Sequence, residues 1–450
     1  MRIKVAGAGS GKTTKMAAHI LGIDIPVGKV VYCVAFTNAA ADNIRSKLIE
    51  QTGMVPDNVK VSTIHSFLYS EFVQPYYHLL YGSRYKKIST INLPDQPAYR
   101  RMRISELEDM QLLHVTAIPE RAKWVVHKKT KDTARIRAMR AKVLAMFGGY
   151  CHKIIVDEAQ DIDKDVRDVL LALDKVGIDI ELCGDPKQDV QGRKCFRELI
   201  DKYQDDVTYS SECHRSPQLH LDISNRLADE KEKQVADEDI CAGSMDVLFE
   251  KDEDVATLVA DGGFGLMYIS KKNERFDTHA SKDSNGGFMT LRHELEIAIK
   301  VKHGNDMTEL EIKRASYYIA DQMISFVAGG GDVSRAINSG ISNGCYDYDK
   351  TRYARLAKAL ETGVKPASSA IVVRSIEAIK GLEHDRCLFI LTMDLAPYLV
   401  GDKTDDNKTK HLLYVALTRS LDNLTVLVTK EVESRYSRKC IMDALGIDAS

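Results

Sequence analysis

Ile3-Lys-Val-Ala6-Gly-Ala-Gly-Ser-Gly-Lys-Thr13-Thr14 joins a short β-branched run to a segment of helical pattern. This strand–loop–helix context is the one a phosphate-binding P-loop requires. Glycines let backbone N–H groups turn inward and approach phosphate oxygens, and the helix N-terminus adds partial positive charge. The backbone of Gly7, Ala8, Gly9, Ser10, Gly11, Lys12, Thr13 and Thr14 is therefore the expected cradle for a nucleotide. Lys12 would bridge the β- and γ-phosphates, and the Thr13 hydroxyl would ligate Mg²⁺. The general pattern has Gly where Ala6 stands, but the Gly11-Lys12-Thr13 core is intact.

A second stretch completes the expectation. Ile154-Ile-Val-Asp-Glu-Ala-Gln-Asp161 is an apolar strand ending in two acids. Ligands of open α/β sheets bind at that carboxyl edge. Asp157 is placed to hold Mg²⁺, and Glu158 to orient and deprotonate an attacking water. The cofactors implied are ATP and Mg²⁺.

Outward from these stretches the chain alternates short apolar runs with helical patterns. Strands are expected at Ile3–Ala6, Val30–Phe36, Val59–Thr63, Lys153–Val156, Ile178–Cys183 and Val207–Ser210, the pattern of a parallel sheet covered on both faces. Further strands are expected at Phe264–Ile269, Ala370–Val373, Cys387–Thr392 and Leu424–Thr429. The fold class is α/β, with two parallel-sheet domains plus helical insertions. The domains expected are 1–75 with 149–215, then 216–289 with 366–450. A basic helical insertion spans 76–148, and a small helical one, holding Gly329-Gly330-Gly331, spans 290–365.

Net charge is −2 over 450 residues, so the whole molecule does not advertise nucleic acid. The charge is uneven, however. Arg121, Lys123, Lys128, Lys129, Lys131, Arg135, Arg137, Arg140 and Lys142 face a single acid, Asp132, and surround the one tryptophan, Trp124. Basic residues with an aromatic suit phosphate contacts and base stacking; a solvated helix face is the competing account. The 9 cysteines are scattered and form no metal-ligand pattern. No membrane-spanning run or leader is expected, since Met1-Arg2 runs straight into Ile3–Ala6. A cytoplasmic location is expected, host cytoplasm if the chain is phage-encoded.

In order along the chain, these motifs resemble those of superfamily 1 helicases of the UvrD/Rep type, which have two RecA-like P-loop domains. Ala35-Phe-Thr-Asn-Ala-Ala-Ala41 and Ser62-Thr-Ile-His-Ser-Phe67 resemble two DNA-contact motifs. The resemblance implies DNA contacts for Thr37, Asn38, Thr63, His65 and Phe67. Asp157-Glu-Ala-Gln-Asp161 is similar to the Mg²⁺ motif. Cys183-Gly-Asp-Pro-Lys-Gln188 is similar to the coupling motif, with Gln188 sensing the γ-phosphate. Cys213-His-Arg-Ser216 resembles Asn-Tyr-Arg-Ser, so Arg215 would be an arginine finger and His214 would replace the base-stacking aromatic. Ser375-Ile-Glu-Ala-Ile-Lys-Gly-Leu-Glu383 carries Glu383 as a ribose or DNA contact. Val415-Ala-Leu-Thr-Arg-Ser420 carries Arg419 as a second arginine on the γ-phosphate.

The departures from the family pattern carry expectations of their own. No Gln motif precedes Ile3, from which relaxed base specificity is expected. Gln191-Gly-Arg-Lys194 stands where the family has stacking aromatics, leaving Arg193 to stack through its guanidinium plane. Glu377 stands where the family usually has His, and the second-lobe insertion is small. The leading expectation is a 3′-to-5′ single-stranded DNA helicase or translocase. Its partners would be single-stranded or tailed duplex DNA and no membrane. The alternative is a DNA-stimulated ATPase serving a protein partner, such as a nuclease or a replication or recombination factor. A P-loop kinase or GTPase switch leaves Arg215 and Arg419 unexplained.

Overall fold

In a computed structural model, which describes residues 1–278, 283–363 and 371–447, the chain is α/β with two separate six-stranded sheets. The first sheet comprises β1 (Arg2–Ala6), β2 (Val30–Ala35), β3 (Val59–Thr63), β4 (Cys151–Val156), β5 (Asp179–Gly184) and β6 (Val207–Ser210). Its order is β3-β2-β4-β5-β1-β6, and every pairing is parallel. Parallel sheets bury both faces, which explains why Val31 through Ala35 and Lys153 through Val156 show no polar alternation. One face packs Met16, Ile20, Ile44 and Leu48 of the helices Lys12–Leu21 and Asn38–Thr52. On the other, Tyr32 meets Phe67 and Phe147 at ring separations of 5.0 and 5.8 Å.

The second sheet holds β7 (Ser244–Phe249), β8 (Leu266–Ile269), β9 (Phe276–Thr278), β10 (Ile371–Ser375), β11 (His384–Leu391) and β12 (Ser420–Val428). Its order is β7-β12-β11-β8-β10-β9, again all parallel. Two of these strands, β7 and β9, escaped the sequence reading. In β7 the Ser-Met-Asp start reads as loop, and three-residue β9 offers too little pattern to count. The expected strand starting at Ala370 begins at Ile371, Ala370 itself lying outside the described residues. Strands β11 and β12 begin three and four residues earlier than expected, in polar stretches that the sheet pairs at His384 and Ser420.

The two sheets, with Met1–Ser83, Ile118–Thr278 and Ala370–Ser450, form one unit. A second unit is built from Arg84–Ala117 and the described residues between His279 and Ser369. The stretches read from sequence as two insertions thus divide differently. Residues 84–117 share a unit with the helices of the later stretch, whereas the basic helices Ile118–Val126 and Ala134–Tyr150 stay with the first sheet. Leu291, Leu295, Ile312, Ile337, Tyr346 and Leu356 form the core of the second unit. None of the described helices is long and apolar enough to cross a membrane.

Candidate functional site

The carboxyl ends of β1, β2, β3, β4 and β5 carry, in turn, the glycine loop, Thr37 and Asn38, Thr63, Asp157 and Glu158, and Asp185 to Gln188. A parallel sheet brings strand ends from distant sequence to one edge, which is why these motifs meet. In the loop Gly9 and Gly11 have φ of 70° and 66°, values an L side chain adopts only under strain. A Cβ on Gly9 would also come within 2.3 Å of Arg215 Cβ. Lys12 Nζ donates to the carbonyls of Ala6 at 3.1 Å and Gly7 at 2.8 Å, folded back along its own loop. Ser10 Oγ donates to Gly7 O at 2.9 Å. Thr14 is exposed at the start of the helix.

Thr13 Oγ1 stands 3.4 Å from Asp157 Oδ2. Asp157 is buried; burial and the neighbouring Glu158 carboxylate raise its pKa, with Lys12 opposing. A buried and a partly buried carboxylate beside a hydroxyl are an environment that a divalent cation neutralises. No group of three or more His, Cys, Asp or Glu among the described residues could by itself hold a metal ion. Mg²⁺ suits this sparse set, because it is held by one or two protein oxygens plus phosphates and water. Thr13 and Asp157 would hold it.

Glu158 has φ 56° and ψ 42°, the left-handed region. Non-glycine residues held there cost about 1–3 kcal/mol and concentrate at functional sites. Burial pushes its pKa up, yet Lys380, Lys12 and a hydrogen bond from Gln160 bring the net shift below the usual range. Glu158 is thus held ionised, as a general base must be. Gln160 also accepts from Asp185 N–H at 3.0 Å. Gln188 is buried, its amide donating to Asp185 Oδ2 at 3.0 Å.

Arg215, the arginine-finger candidate, pairs with Glu383, the candidate ribose or DNA contact. Arg419 is 1% exposed and donates to Val415 O at 3.0 Å and Thr418 Oγ1 at 3.1 Å. Burial and the Arg215 guanidinium push its pKa down to about 10, with Glu158 pulling the other way. The two guanidiniums are thus near enough to repel. His214 pairs with Asp237, and its Cδ2 lies 3.3 Å from where a Cβ on Gly11 would stand.

The DNA-contact candidates fare unequally. Thr37 and Asn38 are exposed, Thr37 capping the helix Asn38–Thr52 by accepting from Ala40 N–H at 3.1 Å. Thr63 caps the helix Ile64–Leu68 in the same way through Ser66 N–H. His65 is partly buried, and burial lowers its imidazole pKa. Phe67 corrects the expectation: it is 1% exposed, packed against Tyr32, Phe72 and Phe147, and is a core residue. Trp124 is partly exposed, with cations and an aromatic ring packed around it. Arg121 lies 4.2 Å and Lys129 Nζ 3.8 Å from its ring centroid, with Tyr77 stacked at 6.5 Å. Lys128, Lys131, Arg135, Arg137 and Lys142 of the same stretch are exposed. Arg193 is exposed and donates to Asp161 O. Glu377 pairs with Lys408.

Sequence reasoning missed the groups that join the lobes. Lys380 Nζ reaches both Asp161 oxygens at 2.7 Å. His411 Nδ1 is 3.0 Å from Asp189 O. Tyr414 and Gln234 meet beside the glycine loop. Lys380 lies inside a quoted motif and Tyr414 directly precedes one, but nothing local marks Gln234.

The AAA domain family model matches residues 2–193, less than half of the chain. The Gabija protein GajB of Bacillus cereus (strain VD045) is 30% identical over 193 residues. Residues 2–193 are thus similar to an AAA domain. The GajB match covers 41% of this chain and 36% of that relative, so the chain spans about a third of its length. Among solved structures, arterivirus nonstructural protein 10 (helicase) with DNA has a TM-score of 0.38 at 9% identity, covering 99% of this chain and 63% of that one. The PRRSV helicase has 0.35 at 11%, covering 95% and 52%. With scores this low, the reading rests on the chain's own residues.

Proposed function

We propose that the chain is an ATP-driven motor on single-stranded DNA, a helicase-type translocase moving 3′ to 5′. One observation carries the reading. Lys12, Thr13, Asp157 and Glu158 share an edge with two arginines, Arg215 and Arg419, that come from outside the first sheet. Arginines supplied across a cleft stabilise transition-state charge only when the cleft is closed. Hydrolysis removes the anion that joins them, and lobes whose separation follows nucleotide state step along a strand. The polarity comes from the motif resemblance. Thr37, Asn38, Thr63 and His65 are the proposed strand contacts on the first lobe.

A second reading is a DNA-stimulated ATPase that serves a protein partner without processive unwinding. The burial of Phe67, a DNA-contact candidate, and the cations packed on Trp124, a base-stacking candidate, favour it.

The deciding experiment measures ATP hydrolysis with and without single-stranded DNA, for wild type and Lys12→Ala. Stimulation in the wild type and loss of turnover in the variant are expected. Turnover indifferent to DNA would overturn the motor. Strand displacement on 3′- and 5′-tailed duplexes then separates the two readings and fixes polarity.

A further inference from the structure

Tyr414 stands on the helix Lys408–Leu417 of the second lobe, 1% exposed. Its hydroxyl has three neighbours. Gln234 Oε1 lies 2.7 Å away and Asp185 Oδ2 3.1 Å away, and the Ala8 N–H of the glycine loop points at it from 3.4 Å. Gln234 Nε2 in turn donates to Ala8 O at 2.9 Å. Both polar groups of Ala8 therefore face side chains from beyond the first sheet. The contact is close: a Cβ on Gly7 would come within 2.1 Å of the Gln234 carboxamide. Gln234 is not free to swing away. Its N–H and C=O are each bonded to the Asn225 side chain at 2.8 Å.

A phenol has one hydrogen to donate. Here two acceptors compete for it, one leading to the P-loop through Gln234 and the other to the coupling motif through Asp185. Tyr414 stays protonated, because burial and then the Asp185 charge raise its pKa. Asp185 can spare the bond, since Lys187 Nζ at 2.9 Å and Gln188 Nε2 at 3.0 Å also hold it. The hydroxyl thus has two arrangements, and each ties a different first-lobe element to the same second-lobe helix. The same helix ends at Leu417, two residues before Arg419. Any shift of the glycine loop on taking up phosphate alters the geometry at Ala8 and so biases which arrangement holds.

We propose that Tyr414, with Gln234, is the positioning pair that transmits occupancy of the P-loop to the second lobe. Through them, nucleotide binding at Lys12 sets the placement of the helix that leads into Arg419. This deepens the reading of the chain as a nucleotide-driven motor and rests on its nucleotide half, not on DNA.

The test uses the full chain with the Mg²⁺ complex of adenosine 5′-[γ-thio]triphosphate as probe, and hydrogen exchange as readout. In the wild type the nucleotide should protect residues 6–15 and change exchange across 408–417. In Tyr414→Phe, which keeps the ring, protection of 6–15 should persist while the change at 408–417 is lost. Gln234→Met should reproduce that loss, so the inference does not depend on one variant folding. A change at 408–417 retained in both variants, or absent from the wild type, would overturn it. No protection of 6–15 in the wild type would remove the nucleotide reading and the inference together. An intact response with turnover indifferent to DNA would instead overturn the motor and leave the coupling standing.

Discussion

Glu158 shows at the scale of one residue what the sheet edge demands. Its backbone is held left-handed, directly after an extended strand, and its carboxylate sits where Lys380 and Lys12 keep it ionised despite burial. Glu158→Gln keeps the shape and removes the base, so turnover should fall by roughly 10²–10⁴. Affinity for the nucleotide should be little changed. Single-turnover rates together with a binding titration check both halves. Equal loss of binding would assign Glu158 to the pocket wall rather than to water activation. Asp185 supplies a pH test. Burial opposes its charge, but Lys187 and Lys12 outweigh it and hold the pKa down to about 2. With an unfolded value of about 3.9, the depressed group contributes on the order of 2 kcal/mol. That stability is fully present above pH 4 and fades as pH falls toward 2. Asp185→Asn should lower the melting temperature at pH 7, because Lys187 loses its counterion, and should flatten the decline below pH 4.

Among the elements, the helix Ile64–Leu68 separates what a motif names from what a side chain does. Its cap, Thr63, is partly exposed at the sheet edge, while Phe67, four residues on, points into the aromatic core under β2. Phe67→Ala should therefore cost stability, about 3–5 kcal/mol, whereas Thr63→Ala should chiefly weaken DNA binding. Thermal melts and DNA titrations on both variants distinguish the roles; a Phe67→Ala protein of normal stability that fails to bind DNA would restore the DNA-contact account. The nucleotide half of the site was legible because its chemistry is local: glycines, Lys12 and paired acids sit within a few residues at strand ends. Phe67 and Trp124 were not, because an aromatic beside a motif reads the same whether it faces solvent or the interior. Gln234 was invisible for a different reason. Its partners Ala8 and Tyr414 are 226 and 180 residues away, and only the joining of two sheets makes them neighbours.

For the molecule as a whole, the same non-locality governs how the chain divides. Ten of the twelve strands of the two sheets could be read from apolar runs, yet the second unit draws on stretches either side of β4 to β9, half of that framework. What ties its two stretches is charge in a buried setting. Arg103, 7% exposed at the side chain, pairs with Glu294, 2% exposed, across 191 residues of sequence. Arg355 joins from the helix Lys350–Gly363 through Glu106 at 3.0 Å. A pattern of apolar spacing cannot reveal such a pair, since each residue alone reads as a solvated charge on a helix. Removing one partner leaves the other buried and uncompensated, which costs about 3–5 kcal/mol. Glu294→Ala should therefore unfold the second unit early, in a separate calorimetric transition, while the transition of the nucleotide-binding unit stays in place and ATP turnover without DNA is kept. A single transition shifted as one would mean that the two units fold cooperatively, and that the pair stabilises the entire chain.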